Sequence, residues 1–173
     1  TKLANSSGID VLRATVVDIQ GDVIFFDQPT GKNFKLDMDS TAAAMYPILY
    51  AENVDDVRIE DMVLDGNRSE NEHINGNYAG AVFTQYCNRW SFKNVTAKDY
   101  NGDGFSFQVC DDFKFENCKA INNADLGFHP GSGSQRPVFS GCFADGNSQG
   151  IFFCWSVTSG IVENCISSGN EKF

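Results

Sequence analysis

The chain has 173 residues, a formal charge of −10 and a hydrophobic content of 42%, which suits one domain with a substantial core. So acidic a chain is not a general nucleic-acid or anionic-membrane binder, and it contains no apolar run of the roughly eighteen residues needed to cross a bilayer. Fifteen Phe against two Trp, with sixteen Gly, favour stacked rings joined by tight turns.

Residues 1–46 follow no long period and are read as an N-terminal β segment that caps or decorates the rest of the chain. Ile9–Ile19 alternates loosely, Gly21-Asp22 turns, Val23–Phe26 is rich in strand formers, and Gly31-Lys32 turns into Asn33–Leu36. Two or three antiparallel strands are expected there, since a solenoid end must be covered against edge pairing. Thr41–Met45 is a short connector. Residues 47–65 form a divergent first rung, in which Val57–Met62 lies over Trp90–Val95 and places Tyr50 and Glu52 level with Phe83 and Gln85. A polar insertion at 67–78 lengthens that rung and is expected to border a site.

From Ala81 onward the chain repeats. Segments 81–103, 104–126, 127–149 and 150–173 have 23, 23, 23 and 24 residues, and a fixed period of this length signals a stacked repeat. Val82, Phe105, Phe128 and Ile151 form one apolar column, and Phe92, Phe115, Phe139 and Val162 another. Val95, Cys118, Cys142 and Cys165 form a further column, preceded by Asn94, Asn117, Gly141 and Asn164. Alternation over short runs is the two-residue period of strands, and Asn or Gly tolerates the left-handed backbone of a sharp bend. The expected fold is all-β: a parallel coil of three short strands per rung, with rungs about 4.8 Å apart. The six cysteines are expected as free thiols, because three in one column cannot all pair.

These columns, with the openings Gly104-Phe105, Gly127-Phe128 and Gly150-Ile151, resemble the right-handed parallel β-helix, or pectate-lyase-like, superfamily over about residues 47–173. The resemblance implies a secreted or cell-surface carbohydrate-active protein, of the polysaccharide lyase or glycoside hydrolase type. It also implies a non-catalytic alternative, a glycan-binding or structural β-helix module. Gly127-Phe128-His129-Pro130-Gly131 is similar to the alginate epimerase motif G-F-D-P-H. His129 stands at that motif's Asp, Gly131 at its His, and Cys154 where the next rung's acid is expected, so those roles are not carried over.

If Phe105 and Phe107 point inward, alternate residues point outward. The outward columns Tyr50, Phe83, Ser106, His129, Phe152 and Glu52, Gln85, Gln108, Gly131, Cys154 carry rings and amides suited to sugar faces and hydroxyls. An exposed groove is therefore expected, bordered by the insertion with His73. The alternative is a wall covered by a second layer. In the groove, His129 is the candidate catalytic base with Arg136 nearby. Asp103 and Asp125, ahead of consecutive strands, are a candidate carboxylate pair. Tyr50, Glu52, Phe83, Gln85, Ser106, Gln108, Phe152 and His73 are candidate substrate contacts. Asp99, Asn101 and Asp103 match the start of a calcium loop that lacks its closing Glu, so calcium is an optional cofactor and no other is implied. The expected partner is a polysaccharide or oligosaccharide. A second copy or a longer chain is expected over the last rung, where Phe173 closes a repeat.

Overall fold

The structure, a computed structural model, describes residues 14–31, 46–73 and 80–172. Within these, three parallel sheets of five strands each wind around one core. A long wall holds Leu49–Glu52, Gly80–Gln85, Asp103–Gln108, Leu126–Pro130 and Gln149–Ile151. A second wall holds Arg58–Glu60, Ser91–Lys93, Lys114–Glu116, Val138–Ser140 and Ile161–Glu163. The third holds Val63–Asp65, Thr96–Lys98, Lys119–Ile121, Phe143–Asp145 and Ile166–Ser168.

The expected register is the observed one. Leu49, Val82, Phe105, Phe128 and Ile151 are successive partners, as are Tyr50, Phe83, Ser106 and His129. The column Ile59, Phe92, Phe115, Phe139, Val162 is equally continuous. Inside, Phe92, Phe115 and Phe139 stack at 4.9 Å, and Phe105 and Phe128 at 5.0 Å. The two columns meet edge to face at 5.4–5.7 Å, the arrangement that ring quadrupoles favour. In the last rung the same column is open, with Val162 47% exposed against full burial of Phe139.

The bend between the second and third walls is set by backbone conformation. Asp61, Asn94, Asn117, Gly141 and Asn164 all have φ between 52° and 63°, the left-handed region that Asn and Gly tolerate best. An amide ladder runs at the corner entering the long wall. Asn123 Nδ2 donates to Asn147 Oδ1 (2.9 Å), and Asn147 Nδ2 to Asn170 Oδ1 (3.1 Å). The same oxygens accept the backbone N–H groups of Asn123 and Asn147. Sequence reading passed over this ladder, although Asn recurs there at intervals of 24 and 23 residues.

The N-terminal expectation is met in part. Val16–Gln20 and Val23–Phe26 pair antiparallel across the Gly21-Asp22 turn; Asn33–Leu36 and Thr41–Met45 lie outside the described residues. Of the insertion, Arg68–Glu70 forms one 3-10 turn, and Arg68 donates to the Asn122 carbonyl at 3.1 Å. All six cysteines are free thiols. Among the described residues no helix is long and apolar enough to cross a membrane.

Candidate functional site

The long wall is not the exposed groove expected of it. Phe83, Gln85, Ser106, Gln108 and His129 are each 5% exposed or less, so these outward columns lie in a covered layer. Rings and amides instead of Lys and Glu are what a wall buried on both faces requires, and the covered-wall alternative accounts for the composition. Tyr50 remains exposed, donates to Glu52 at 2.9 Å and stacks on Phe83. Phe152 is half-buried, edge-on to His129 at 5.7 Å. Hollows elsewhere, lined by Tyr46, Ile48, Tyr100 and Asn101 or by Gly150, Ser167 and Asn170, measure about 140 and 190 Å³. Both fall below the several hundred Å³ usual for a ligand pocket.

Within the covered wall lies a polar unit. His129 Nδ1 and Asp103 Oδ2 are 2.7 Å apart, each side chain 1% exposed, and Ser106 Oγ is 3.5 Å from the same nitrogen. The other Asp103 oxygen accepts the Leu126 N–H at 3.0 Å. Burial opposes charge on the imidazole, but the Asp103 carboxylate, by charge and hydrogen bond, outweighs it and raises His129 to about 9. The Asp103 carboxylate thus favours the protonated ring, which suits a proton donor better than the expected base. Contact between His129 and Asp103 spans 26 residues in sequence, a diagonal across neighbouring rungs that simple column stacking does not reveal.

Two buried side-chain nitrogens in the described residues have no hydrogen-bond partner, His129 Nε2 and Gln108 Nε2. Buried donors are nearly always satisfied, so these two nitrogens stand out within the wall. The Gln108 amide fills the space beneath Gly131, where an added Cβ would meet its head atoms at 2.0–2.1 Å. Cys154, half-buried, follows Gly131 in this column and donates its N–H to Pro130 O at 3.0 Å. Its sulfur is 3.2 Å from Ser132 Oγ. Interaction with His129, ahead of burial and Ser132, brings its thiol down to about 7. In the sequence Cys154 stood only as the end of an outward column and as a departure from a motif.

The remaining expected residues divide. Asp125 is half-buried, and burial, then repulsion by Asp103, pushes its carboxyl up, with His73 and His129 offsetting in part. Arg136 is not joined to His129: its guanidinium grips Asp112 (2.7 and 2.9 Å) and reaches Asp111 (3.4 Å) at the corner. The calcium-loop residues do not converge. Asp99 engages Asn122 and Lys98, Asn101 donates to the Glu72 carbonyl, and Asp103 is committed to His129. Among the described residues no cluster of three His, Cys, Asp or Glu is formed that could hold a metal.

Comparison with known proteins agrees with the coil. The family described as right-handed beta helix region matches residues 3–172, and the chain belongs to it. Among solved structures, a Parabacteroides merdae protein named provisionally as a glycosyl hydrolase is similar, with 17% identity and a TM-score of 0.54. The match covers 69% of this chain and 60% of that one, so the chain spans less than two thirds of its neighbour's length. A comparison with curated proteins finds no match.

Proposed function

We propose that this chain belongs to a secreted carbohydrate-active enzyme of the glycoside hydrolase type, acting on a polysaccharide. The observation that carries it is the pair Asp103 and Asp125 at the start of consecutive wall strands, in environments that differ. Asp125, half-buried and beside the Asp103 charge, has its carboxyl raised, as suits a general acid that protonates a leaving oxygen. Asp103, bonded to His129 and to the Leu126 N–H, is the partner carboxylate. The glycosyl hydrolase name of the Parabacteroides neighbour supports the substrate class. A lyase is less well supported, because proton abstraction beside a uronate needs a neutral base and His129 titrates near 9.

Burial of Phe83, Gln85, Ser106 and Gln108 favours a second reading, a structural or glycan-binding β-helix module without catalysis. A polysaccharide panel separates the two when assayed for both reducing ends and unsaturated-product absorbance. The hydrolase reading expects new reducing ends without that absorbance, and a loss of at least about 100-fold in Asp125→Asn. Unsaturated products would replace it with a lyase. Silence across the panel with glycan binding retained would leave the non-catalytic module.

A further inference from the structure

We propose that Cys142 and Cys165 form a redox-sensitive clip, a disulfide that ties the last two turns of the coil together in oxidising surroundings. The clip goes beyond the carbohydrate reading and does not rest on it. The two residues hold the same position in successive rungs. Phe143 and Ile166, next to them, are register partners, and the Ile166 N–H donates to the Cys142 carbonyl at 2.9 Å. Partners in adjacent parallel strands lie about 4.8 Å apart, within the roughly 4.4–6.8 Å that a disulfide spans between Cα atoms. The Cys142 N–H meets the Cys165 sulfur at 3.3 Å, so the later side chain reaches back onto the earlier residue. The Cys142 thiol donates to Phe115 O at 3.5 Å, and rotation about its Cα–Cβ bond exchanges that contact for the Cys165 sulfur.

Access and a stacked thiol partner coincide only at Cys165. Cys87, Cys110 and Cys118 are fully buried and Cys142 is nearly so. Cys87 and Cys110 stack in the same way, with the Cys87 N–H 3.4 Å from the Cys110 sulfur, yet neither is open to a reagent. Cys154 is half-buried, but the residues before it in its column are Gly131 and Gln108, and its sulfur faces Ser132 at 3.2 Å. Cys165 is half-buried among exposed neighbours, Ile166 and Val162, with Cys142 directly behind it in the column.

The oxidant is a small-molecule disulfide. The Cys165 thiolate attacks one of its sulfurs, the S–S bond breaks, and one thiolate leaves while the other half stays on Cys165 as a mixed disulfide. Cys142, on losing its proton, attacks the Cys165 sulfur; the mixed disulfide breaks and the second thiolate leaves. The two protons given up by the protein pass to the departing thiolates. Two cysteines are thereby oxidised and one disulfide is reduced to two thiols. The new bond joins residues 23 apart, which restricts the unfolded chain and holds the last rung against the one before it.

The test treats the folded chain with glutathione disulfide at mildly alkaline pH, because burial raises the Cys165 thiol, and maps the products by mass spectrometry without reduction. The expected product is a linked Cys142–Cys165 peptide pair, formed with the circular dichroism of the chain unchanged. Hydrogen exchange in Ile166–Ser168 is expected to slow at least about 10-fold once the bond has formed. Cys142→Ser is expected to stop with one glutathione on Cys165, and Cys165→Ser to form no bridge to Cys142. A lasting glutathione adduct on wild-type Cys165, a bridge from Cys142 to Cys118, or a Cys142–Cys165 bridge that forms only in urea overturns the proposal. So does a chain that does not react, or a bridge that leaves exchange in Ile166–Ser168 unaltered. Cys165→Ser changes one atom at a half-buried position, so it keeps the test decisive even where the buried Cys142→Ser does not fold.

Discussion

At the scale of single residues, the wall holds two opposed titrations. His129 is raised from 6.5 to about 9, so its stabilisation is complete below about 6.5 and is lost as pH rises through about 9. Cys154 is lowered from 9.0 to about 7, so its contribution is present above about 9 and is lost as pH falls through about 7. Between about 7 and 9 the folded chain holds the His129 proton and lacks the Cys154 proton, and the unfolded chain does the reverse. The two slopes then offset each other, so this pair adds no net pH dependence across that window. Cys154→Ser removes the rising thiol contribution while Asp103 still favours the His129 cation, so its urea midpoint should fall relative to wild type from pH 7 to 9. Comparing the two proteins cancels the other five thiols. A midpoint difference that does not vary with pH would show that the imidazole and thiol are not linked.

At the scale of elements, the bend column and the amide ladder look alike in sequence and differ in what they support. Asn94 is exposed, sits at φ 52° and donates to Asp61 at 2.8 Å; water can replace that bond, and Gly adopts the same backbone freely. Asn147 is buried. It accepts from the N–H and amide of Asn123 and donates to Ala120 O. Asn147→Ala leaves several buried groups unpaired, at about 1–3 kcal/mol each, so a loss of roughly 3 kcal/mol or more is expected. Asn94→Gly should stay within about 0.5 kcal/mol. Urea midpoints of the two variants check both, and equal losses would mean that the two columns are equally wet. Register was legible from the 23-residue period because each apolar column had only one way to face the core. Burial of the outer wall was not, since amides and rings suit a groove and a covered layer equally. The Asp103–His129 contact was hidden because it runs diagonally across neighbouring rungs.

At the scale of the whole molecule, each rung is stabilised chiefly by the rungs above and below it, so position along the coil should decide the cost of a mutation. Phe115 stacks on Phe92 and Phe139 at 4.9 Å and meets Phe105 and Phe128 edge-on at 5.4 and 5.7 Å. Val162 continues the same column in the last rung but is about half exposed. Phe115→Ala removes a ring from between two neighbours and opens a cavity, with an expected loss of about 3–5 kcal/mol. Val162→Ala shortens a side chain that water already reaches, and about 1 kcal/mol or less is expected from the smaller area involved. Because rungs couple to their neighbours, Phe115→Ala should also lower hydrogen-exchange protection in the strands Ser91–Lys93 and Val138–Ser140, which flank it in the second wall. Protection lost evenly over all three walls would instead indicate a single cooperative unit. Loss concentrated in the adjacent rungs would show a coil that opens turn by turn.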